Sequence, residues 1–463
     1  MNDANPFAVK AWVPHDYQRR GMEWLVTHPA GALFFWPGMG KTSTTLASIL
    51  QLKAFGYPAR TLVLAPLRVA QAVWRNEALK WAEFQHLKIG LAHGPDKEHI
   101  LYDPKYDIVL LNYEGLQWAC PLLLKANPFM ILVCDELPKL KHTNTKRFKA
   151  VKNVLPSFKF RWGLTGTPVA NGLLDLFGEI YILDLGQRFG RYITHYRLTY
   201  FHQKPYDKWT WHISPNSAER IHAKLADLAM YVDPEEVLKL PPISHIQLPV
   251  DLPSAALKQY RLLEQAAIIQ LSDNVLTAAN AAVLTGKLRQ FASGALYTNA
   301  EREFEVVHTA KLEALEDLVE ELAGEPLLLA YNYEHELQRI LKVYPNALVL
   351  KGGMSGNATN EVLSTWNMGS CPLLCAQADV IAHGLNLQTG GNAIVWFSQT
   401  YNMETYTQVI ARLYRQGQKK HVRIYHLIAN ETIDADIQQI LGYKDITQMQ
   451  LFAYLTKSLI EKK

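Results

Sequence analysis

Nine short apolar runs constrain the fold of this chain more than any other feature. They lie at 61–66, 107–113, 130–136 and 161–168 in the first half, and at 326–331, 346–350, 371–377, 393–397 and 422–427 in the second. Each is five to eight residues long, rich in Val, Ile and Leu, and bounded by turn or polar residues. Continuous apolar runs of that length are expected of strands buried on both faces of a parallel sheet. Helix-like segments at 42–54, 69–84, 311–322 and 403–414 separate them. Strand and helix in alternation predict an α/β fold, with parallel sheets and helices on both faces.

A chain of 463 residues exceeds what one ordinary core accommodates, so two domains are expected. The alternation breaks from about 185 to 300, first into an aromatic-rich stretch at 189–211 and then into helical segments at 217–228, 254–272 and 278–291. That stretch reads as a helical insertion and connector. Pro241-Pro242 interrupts helix and strand alike and marks the boundary. The expected domains are 1–240, with the insertion from about 185, and 241–463, with the connector at its start.

The formal net charge of +4 is small and does not itself indicate a polyanion partner. Four cysteines are too few for a disulfide framework and fit a reducing compartment. Cys371 and Cys375 sit in an apolar run and read as strand residues rather than metal ligands. No run reaches the ~18 apolar residues that a membrane span needs, and the amino terminus lacks the apolar core of a signal peptide. An intracellular, cytoplasmic protein with no membrane partner is expected.

Three constellations carry chemistry. Gly38-Met39-Gly40-Lys41-Thr42 follows an apolar stretch and opens a helix. In that context backbone N–H groups cradle phosphates, Lys41 supplies a cation and the Thr42 hydroxyl can ligate magnesium. The strict eight-residue pattern is incomplete, because Phe35 stands where its first glycine belongs. Asp135-Glu136 ends an apolar run, which puts two carboxylates at the mouth of a sheet. Asp135 is suited to hold Mg2+, and Glu136 to orient and deprotonate an attacking water. Late in the chain, Gln408, Arg412 and Arg415 are spaced to share one helical face. Arginines so placed suit a γ-phosphate, because the planar guanidinium meets phosphate oxygens two at a time.

In this order the elements resemble the Snf-type (SWI/SNF-like) family of superfamily-two DNA helicases and translocases, over nearly the whole chain. Tyr17-Gln18 with Gly21 and Trp24-Leu25 resembles the family's adenine-recognition segment, which makes Gln18 the adenine reader. Ala65-Pro66 followed by Trp74, with Arg68 between them, resembles a segment that lies along the DNA backbone, and Asn112-Tyr113-Glu114 the next strand-contacting element. Leu164-Thr165-Gly166-Thr167-Pro168 with Asn171 resembles the segment coupling hydrolysis to DNA. Leu288-Arg289-Gln290 matches the connector, Gly384-Leu385-Asn386-Leu387 the fifth motif, and the run from Gln408 to Gln418 the sixth. The chain departs from the family at Trp36-Pro37, at Leu137-Pro138 where Ala/Gly-His is usual, at Gln377, at Val380-Ile381-Ala382 and around Tyr231-Val232-Asp233.

The resemblance implies two RecA-like lobes that bind ATP and Mg2+ in the cleft between them. Gln18, Gly38, Met39, Gly40, Lys41, Thr42, Asp135 and Gly384 would bind the nucleotide; Lys41, Glu136, Arg412 and Arg415 would act in catalysis. Pro66, Arg68, Asn112, Tyr113, Thr165, Gly166, Thr167, Asn386 and Gln408 would contact nucleic acid or couple it to hydrolysis, with Lys139, Lys141, Lys287 and Arg289 as further basic track candidates. The expected activity is ATP-driven movement of a monomer on duplex DNA. A strand-separating or annealing helicase and an ATP-gated nucleic-acid-binding protein are the alternatives. The compact length points to a minimal family member from a bacterium or phage.

Overall fold

The structure, a computed structural model, describes residues 10–169, 172–205, 207–273, 278–382, 385–442 and 444. Gly384 and Asn171 lie outside the described residues. The chain divides into two compact units, Met1–Lys239 together with a segment from Lys444, and Leu240–Tyr443.

The first unit is built on β1 (Ala30–Phe35), β2 (Thr61–Ala65), β3 (Ile89–Leu91), β4 (Ile108–Asn112), β5 (Ile131–Asp135) and β6 (Phe160–Thr165). An antiparallel pair, β7 (Phe201–Lys204) and β8 (Asp207–Ile213), and a further strand, β9 (Ala229–Val232), follow. The sheet order is β3-β4-β2-β5-β6-β1-β9, and every pairing is parallel. Alternate strand residues enter two separate cores. Ala32, Phe34, Leu62, Leu64, Leu132 and Cys134 pack on one face, and Leu33, Phe35, Val63, Ala65, Ile131 and Val133 on the other. The helices Leu116–Lys125, Lys146–Val154 and Leu176–Asp184 cover the first face; Asp16–Thr27 and Lys41–Ala54 cover the second. Each fully buried Val, Leu or Phe in such a layer contributes about 1.5–3 kcal/mol.

The second unit contains β10 (Ile243–Val250), the hairpin β11 (Ala295–Tyr297) and β12 (Phe304–Val306), then β13 (Leu327–Tyr331), β14 (Leu348–Leu350), β15 (Leu373–Gln377), β16 (Ala393–Trp396) and β17 (Val422–Ala429). Its sheet runs β10-β17-β16-β13-β15-β14, again parallel throughout. Both residue sets of β13, β15 and β16 are buried, so both faces are covered. The two units are RecA-like lobes, as the alternating pattern and the resemblance predict. Cys371 and Cys375 are buried, the second inside β15. Among the described residues no helix is long and apolar enough to cross a membrane.

The stretch read as a helical insertion is only partly helical. Besides the helices Ile193–Tyr200 and Ser217–Ala223 it holds the β7–β8 pair, and β9 completes the first sheet beside β1. A four-residue strand has too few residues for a period to show; pairing with β1 is what stabilises it. The expected helix at 69–84 also differs. A π-helical turn occupies Val69–Val73, an α-helix Trp74–Lys80, and a separate 3-10 turn Ala82–Phe84.

Candidate nucleotide-binding site

Three adjacent strands of the first sheet, β5, β6 and β1, end on one edge, and each delivers one element there. β1 runs into the turn 36–40, β5 ends on Asp135, and β6 ends on Thr165. The carboxyl-terminal edge of a parallel sheet is where α/β proteins bind ligands.

In the phosphate turn, Gly38 and Gly40 have φ of 91° and 75°, in the left-handed region that favours glycine. Gly40 is also closed sterically, since a Cβ there would lie 2.3 Å from Gln18 Nε2. Gln18 is buried; its Nε2 donates to the Met39 carbonyl at 3.2 Å and its Oε1 accepts from His15 N–H at 2.9 Å. The Tyr17 hydroxyl reaches the same Met39 carbonyl at 3.2 Å, while the Met39 side chain is fully buried in the core. Gln18 therefore braces the turn directly, in addition to the base-reading role that the resemblance implies. Lys41 and Thr42 open the helix Lys41–Ala54, both half-buried, and Lys41 Nζ donates to the Phe35 carbonyl at 2.9 Å.

Asp135 is 6% exposed, and its Oδ2 accepts from Trp74 Nε1–H at 2.8 Å. Burial pushes its carboxyl above the usual carboxylate range, against the opposing pull of the Trp74 bond and the Lys41 ammonium. Glu136 adopts φ 62°, ψ 63°, an unusual left-handed conformation for a residue with a side chain. This reverses the chain into the short turn Leu137–Leu140, which Pro138 stiffens. The Tyr113 hydroxyl lies 2.8 Å from the Asp135 carbonyl oxygen and 3.2 Å from that of Glu136, beneath the pair.

At the end of β6, Thr165 and Thr167 are buried, and Thr167 N–H donates to Thr165 Oγ1 at 3.0 Å. Gly166 touches the phosphate turn: a Cβ there would lie 2.8 Å from Pro37 Cδ and 3.2 Å from the Phe35 carbonyl oxygen. Between these two turns the contact is one of backbone and ring.

The residues expected at nucleic acid divide. Pro66, Arg68 and Asn112 are half-buried just beyond or at the ends of β2 and β4, with Asn112 Nδ2 donating to Glu114 Oε2 at 3.0 Å. Tyr113 is only 2% exposed and points inward. Lys141 forms an ion pair with Asp175 at 3.0 Å. Lys287 Nζ donates to the Tyr297 carbonyl at 2.5 Å. Arg289 donates to the Gln399 carbonyl at 2.6 Å and lies between the rings of Tyr333 and Tyr401. These three cations tie the fold together locally.

In the second unit the helix bearing Gln408 covers Met403–Ile410 and stops before both arginines. The backbone tightens there, with Arg412 N–H donating to Val409 O and Leu413 N–H to Ile410 O. Arg412, 7% exposed, clamps three carbonyl oxygens, those of Gln408, Leu385 and Ala382, each at 2.9 Å. Arg415 is half-buried and donates to Asn386 Oδ1 and to the Leu385 carbonyl. Gln408 is 2% exposed and donates to Glu404 at 3.4 Å. The fifth- and sixth-motif residues Asn386, Arg412 and Arg415 are thus brought together, although not along one helical face. The Trp74–Asp135 bond and the Gly166–Pro37 contact gave no signal in the sequence, because their partners are far apart along the chain.

The family model described as SNF2-related domain matches residues 17–290, and that described as Helicase conserved C-terminal domain matches residues 310–417. The chain is similar to protein p41 of Acyrthosiphon pisum secondary endosymbiont phage 1, at 34% identity over 93% of this chain and 96% of that one. It is similar to the CHD3-type chromatin-remodeling factor CHR7 of Arabidopsis thaliana at 26% identity over 88% of this chain and 34% of the factor. It therefore spans nearly all of the phage protein but about a third of the plant one. Among solved structures, the Sulfolobus solfataricus SWI2/SNF2 ATPase core in complex with dsDNA aligns over 100% of this chain and 98% of that chain, at 22% identity and a TM-score of 0.47. With the SNF2-related match alone covering more than half its length, the chain belongs to the SNF2-related family and is an ATP-hydrolysing enzyme of the helicase/translocase type.

Proposed function

We propose that this enzyme is a DNA-dependent ATPase that moves along double-stranded DNA as a monomer. The observation that carries the reading is the convergence of the turn 36–40, the acidic pair and the Thr165–Thr167 turn on three neighbouring strand ends, with Trp74 and Tyr113, from segments that the resemblance lays along DNA, bonded to the acidic pair. In this reading the turn 38–42 holds the nucleotide phosphates, Gln18 reads the base, Glu136 accepts the proton of the attacking water, and Lys41 neutralises phosphate charge. Arg415, the more exposed of the two late arginines, serves as the arginine finger. Arg412 and Asn386 hold it in place, and Gly384 completes the fifth motif.

The oxygen donors of Thr42 and Asp135 fit Mg2+, a hard cation that favours hydroxyl and carboxylate ligands. When bound, Mg2+ would neutralise charge developing on the phosphates. Arg68 and Asn112 would grip the DNA phosphate backbone, with Pro66 fixing the chain ahead of Arg68, which makes binding insensitive to sequence and sensitive to salt.

The test is ATP turnover against duplex, single-stranded, forked and RNA ligands. Strongest stimulation by duplex DNA is expected. Equal or greater stimulation by RNA sinks the reading, and displacement of a paired strand would favour a strand-separating helicase.

A further inference from the structure

Trp74 and Tyr113 belong to segments whose resemblance places them along DNA, yet both side chains are buried and turned toward the acidic pair. The Trp74 indole N–H meets Asp135 Oδ2 at 2.8 Å across 61 residues of sequence. The Tyr113 hydroxyl sits under the two peptide carbonyls that fix the backbone of Asp135 and Glu136. Burial raises the Tyr113 phenol well above its ordinary range, so it stays a neutral hydroxyl that can donate.

The backbone leading into Trp74 is itself unusual. Helical structure begins at Leu67, directly after Pro66, and passes through the π-helical turn Val69–Val73 before Trp74 opens the α-helix proper. A π-helical turn fits one residue more than an α-turn and recurs at functional sites. Without that extra residue, the indole would swing away from Asp135 by roughly 100°, the turn per residue of an α-helix. Pro66 and Arg68, both half-buried, stand at the start of this helical run, and the buried Trp74 follows the π-helical turn. Asn112 and Tyr113 repeat the arrangement: Asn112, half-buried, ends β4, and Tyr113, which opens the 3-10 turn that follows, reaches inward.

We propose that Trp74 and Tyr113 are positioning residues that pass occupation of the DNA track to the acidic pair, with the π-helical turn Val69–Val73 as the adjustable joint between Arg68 and Asp135. DNA phosphates drawing on Arg68 and Asn112 shift the indole and the phenol. These set the Asp135 carboxylate and the Glu136 backbone into the arrangement that hydrolyses ATP. Displacements well under the length of a bond are enough to change a rate, because reacting groups must be aligned closely. The inference rests on the reading of Asp135-Glu136 as the hydrolytic pair of a DNA-stimulated enzyme.

Trp74→Phe keeps a ring and removes the N–H; Tyr113→Phe removes only the hydroxyl. The full chain and each variant are assayed for turnover with saturating duplex DNA and without DNA, and for DNA affinity by fluorescence anisotropy. The decisive quantity is the ratio of the two turnover rates, which does not depend on the fraction of folded enzyme. Each variant is expected to lower that ratio by about tenfold, with DNA affinity held within about twofold. A ratio within about threefold of the parent in both variants overturns the proposal, as does DNA affinity falling in step with the ratio, which would make these residues direct contacts. If Trp74→Phe fails to fold, Tyr113→Phe alone decides. Glu136→Gln, run in parallel, separates the two levels of argument. Turnover retained there, or no DNA stimulation of the parent, defeats the functional reading; turnover lost there but full stimulation in the tryptophan and tyrosine variants defeats only this inference.

Discussion

Gly166 packs so closely on Pro37 that a methyl group in place of its hydrogen would come within 2.8 Å of the proline Cδ. The turn after β6 and the phosphate turn after β1 thus share one van der Waals surface. Gly166→Ala must push one turn off the other, with the Phe35 carbonyl, an acceptor of the Lys41 ammonium, 3.2 Å away on the far side. We expect turnover to fall by about tenfold or more, with a stability cost of about 1–3 kcal/mol for the overpacked contact. ATPase rates and thermal melts check this. Unchanged turnover would show that the contact carries no information between the turns.

Gly40 fails as any other residue for two independent reasons, its φ of 75° and the approach of Gln18 Nε2. Gly40→Ala should abolish binding of a fluorescent ATP analogue. Removing Gln18 as well should relieve the collision without restoring binding, because the left-handed backbone still costs about 1 kcal/mol and the brace of the turn is lost with the side chain. Full recovery in the double variant would contradict both the backbone argument and the bracing role of Gln18.

Glu136→Gln should retain ATP and DNA binding while turnover falls by about a hundredfold or more, the usual share of a general base. Parental turnover in the purified variant removes Glu136 from that role.

Arg412 and Arg415 should separate by phenotype. Arg412→Ala strips the buried carbonyls of Gln408, Leu385 and Ala382 of their common donor. Bonds from a charged donor contribute about 1.5–3 kcal/mol, so the second unit should melt at a visibly lower temperature. Arg415→Ala should melt as the parent does but hydrolyse ATP more slowly at unchanged ATP affinity. An Arg415→Ala enzyme with the parental rate would end its assignment as the finger.

Acid should destabilise the second unit. Burial holds His308 at about 4, and His335 and His426 at about 3, below the ordinary value of about 6.5. The unfolded chain takes up these protons first. Stability is therefore complete above about pH 6.5 and falls as pH drops toward the folded values, by about 1.4 kcal/mol per pH unit for each histidine. Among the described residues His335 has no hydrogen bond at either ring nitrogen, and it packs against Tyr297, Phe304 and Tyr333. His335→Phe should flatten the decline between pH 6.5 and 5 by one histidine's share, measured by urea unfolding at several pH values. Parallel curves for parent and variant would contradict this account.

Much of the fold was legible because its signals are local. A strand covered on both faces must be apolar along nearly its whole length, and β2, β5 and β13 are buried throughout. The turn into the helix Lys41–Ala54 was legible for a similar reason: its glycines, lysine and threonine stand within a few residues of one another. The end of the helix at Ile410 was not, because Arg412 leaves the helical face to bind carbonyls some thirty residues upstream. The strand character of 229–232 was hidden as well, since pairing with a distant partner, and not composition, holds it.

The two parallel-sheet lobes and the family were readable from the chain alone, because their patterns are short enough to fit in one window. What the neighbouring side chains bond to emerged from the folded arrangement. It turned Tyr113 and Trp74 inward to the acidic pair and set Gly166 against Pro37. It also engaged Lys141, Lys287 and Arg289 inside the fold, where they had been expected along a DNA track. Hydrogen bonds and contacts act over a few ångströms of space however far apart their partners stand in the chain, so they leave no mark on the local sequence.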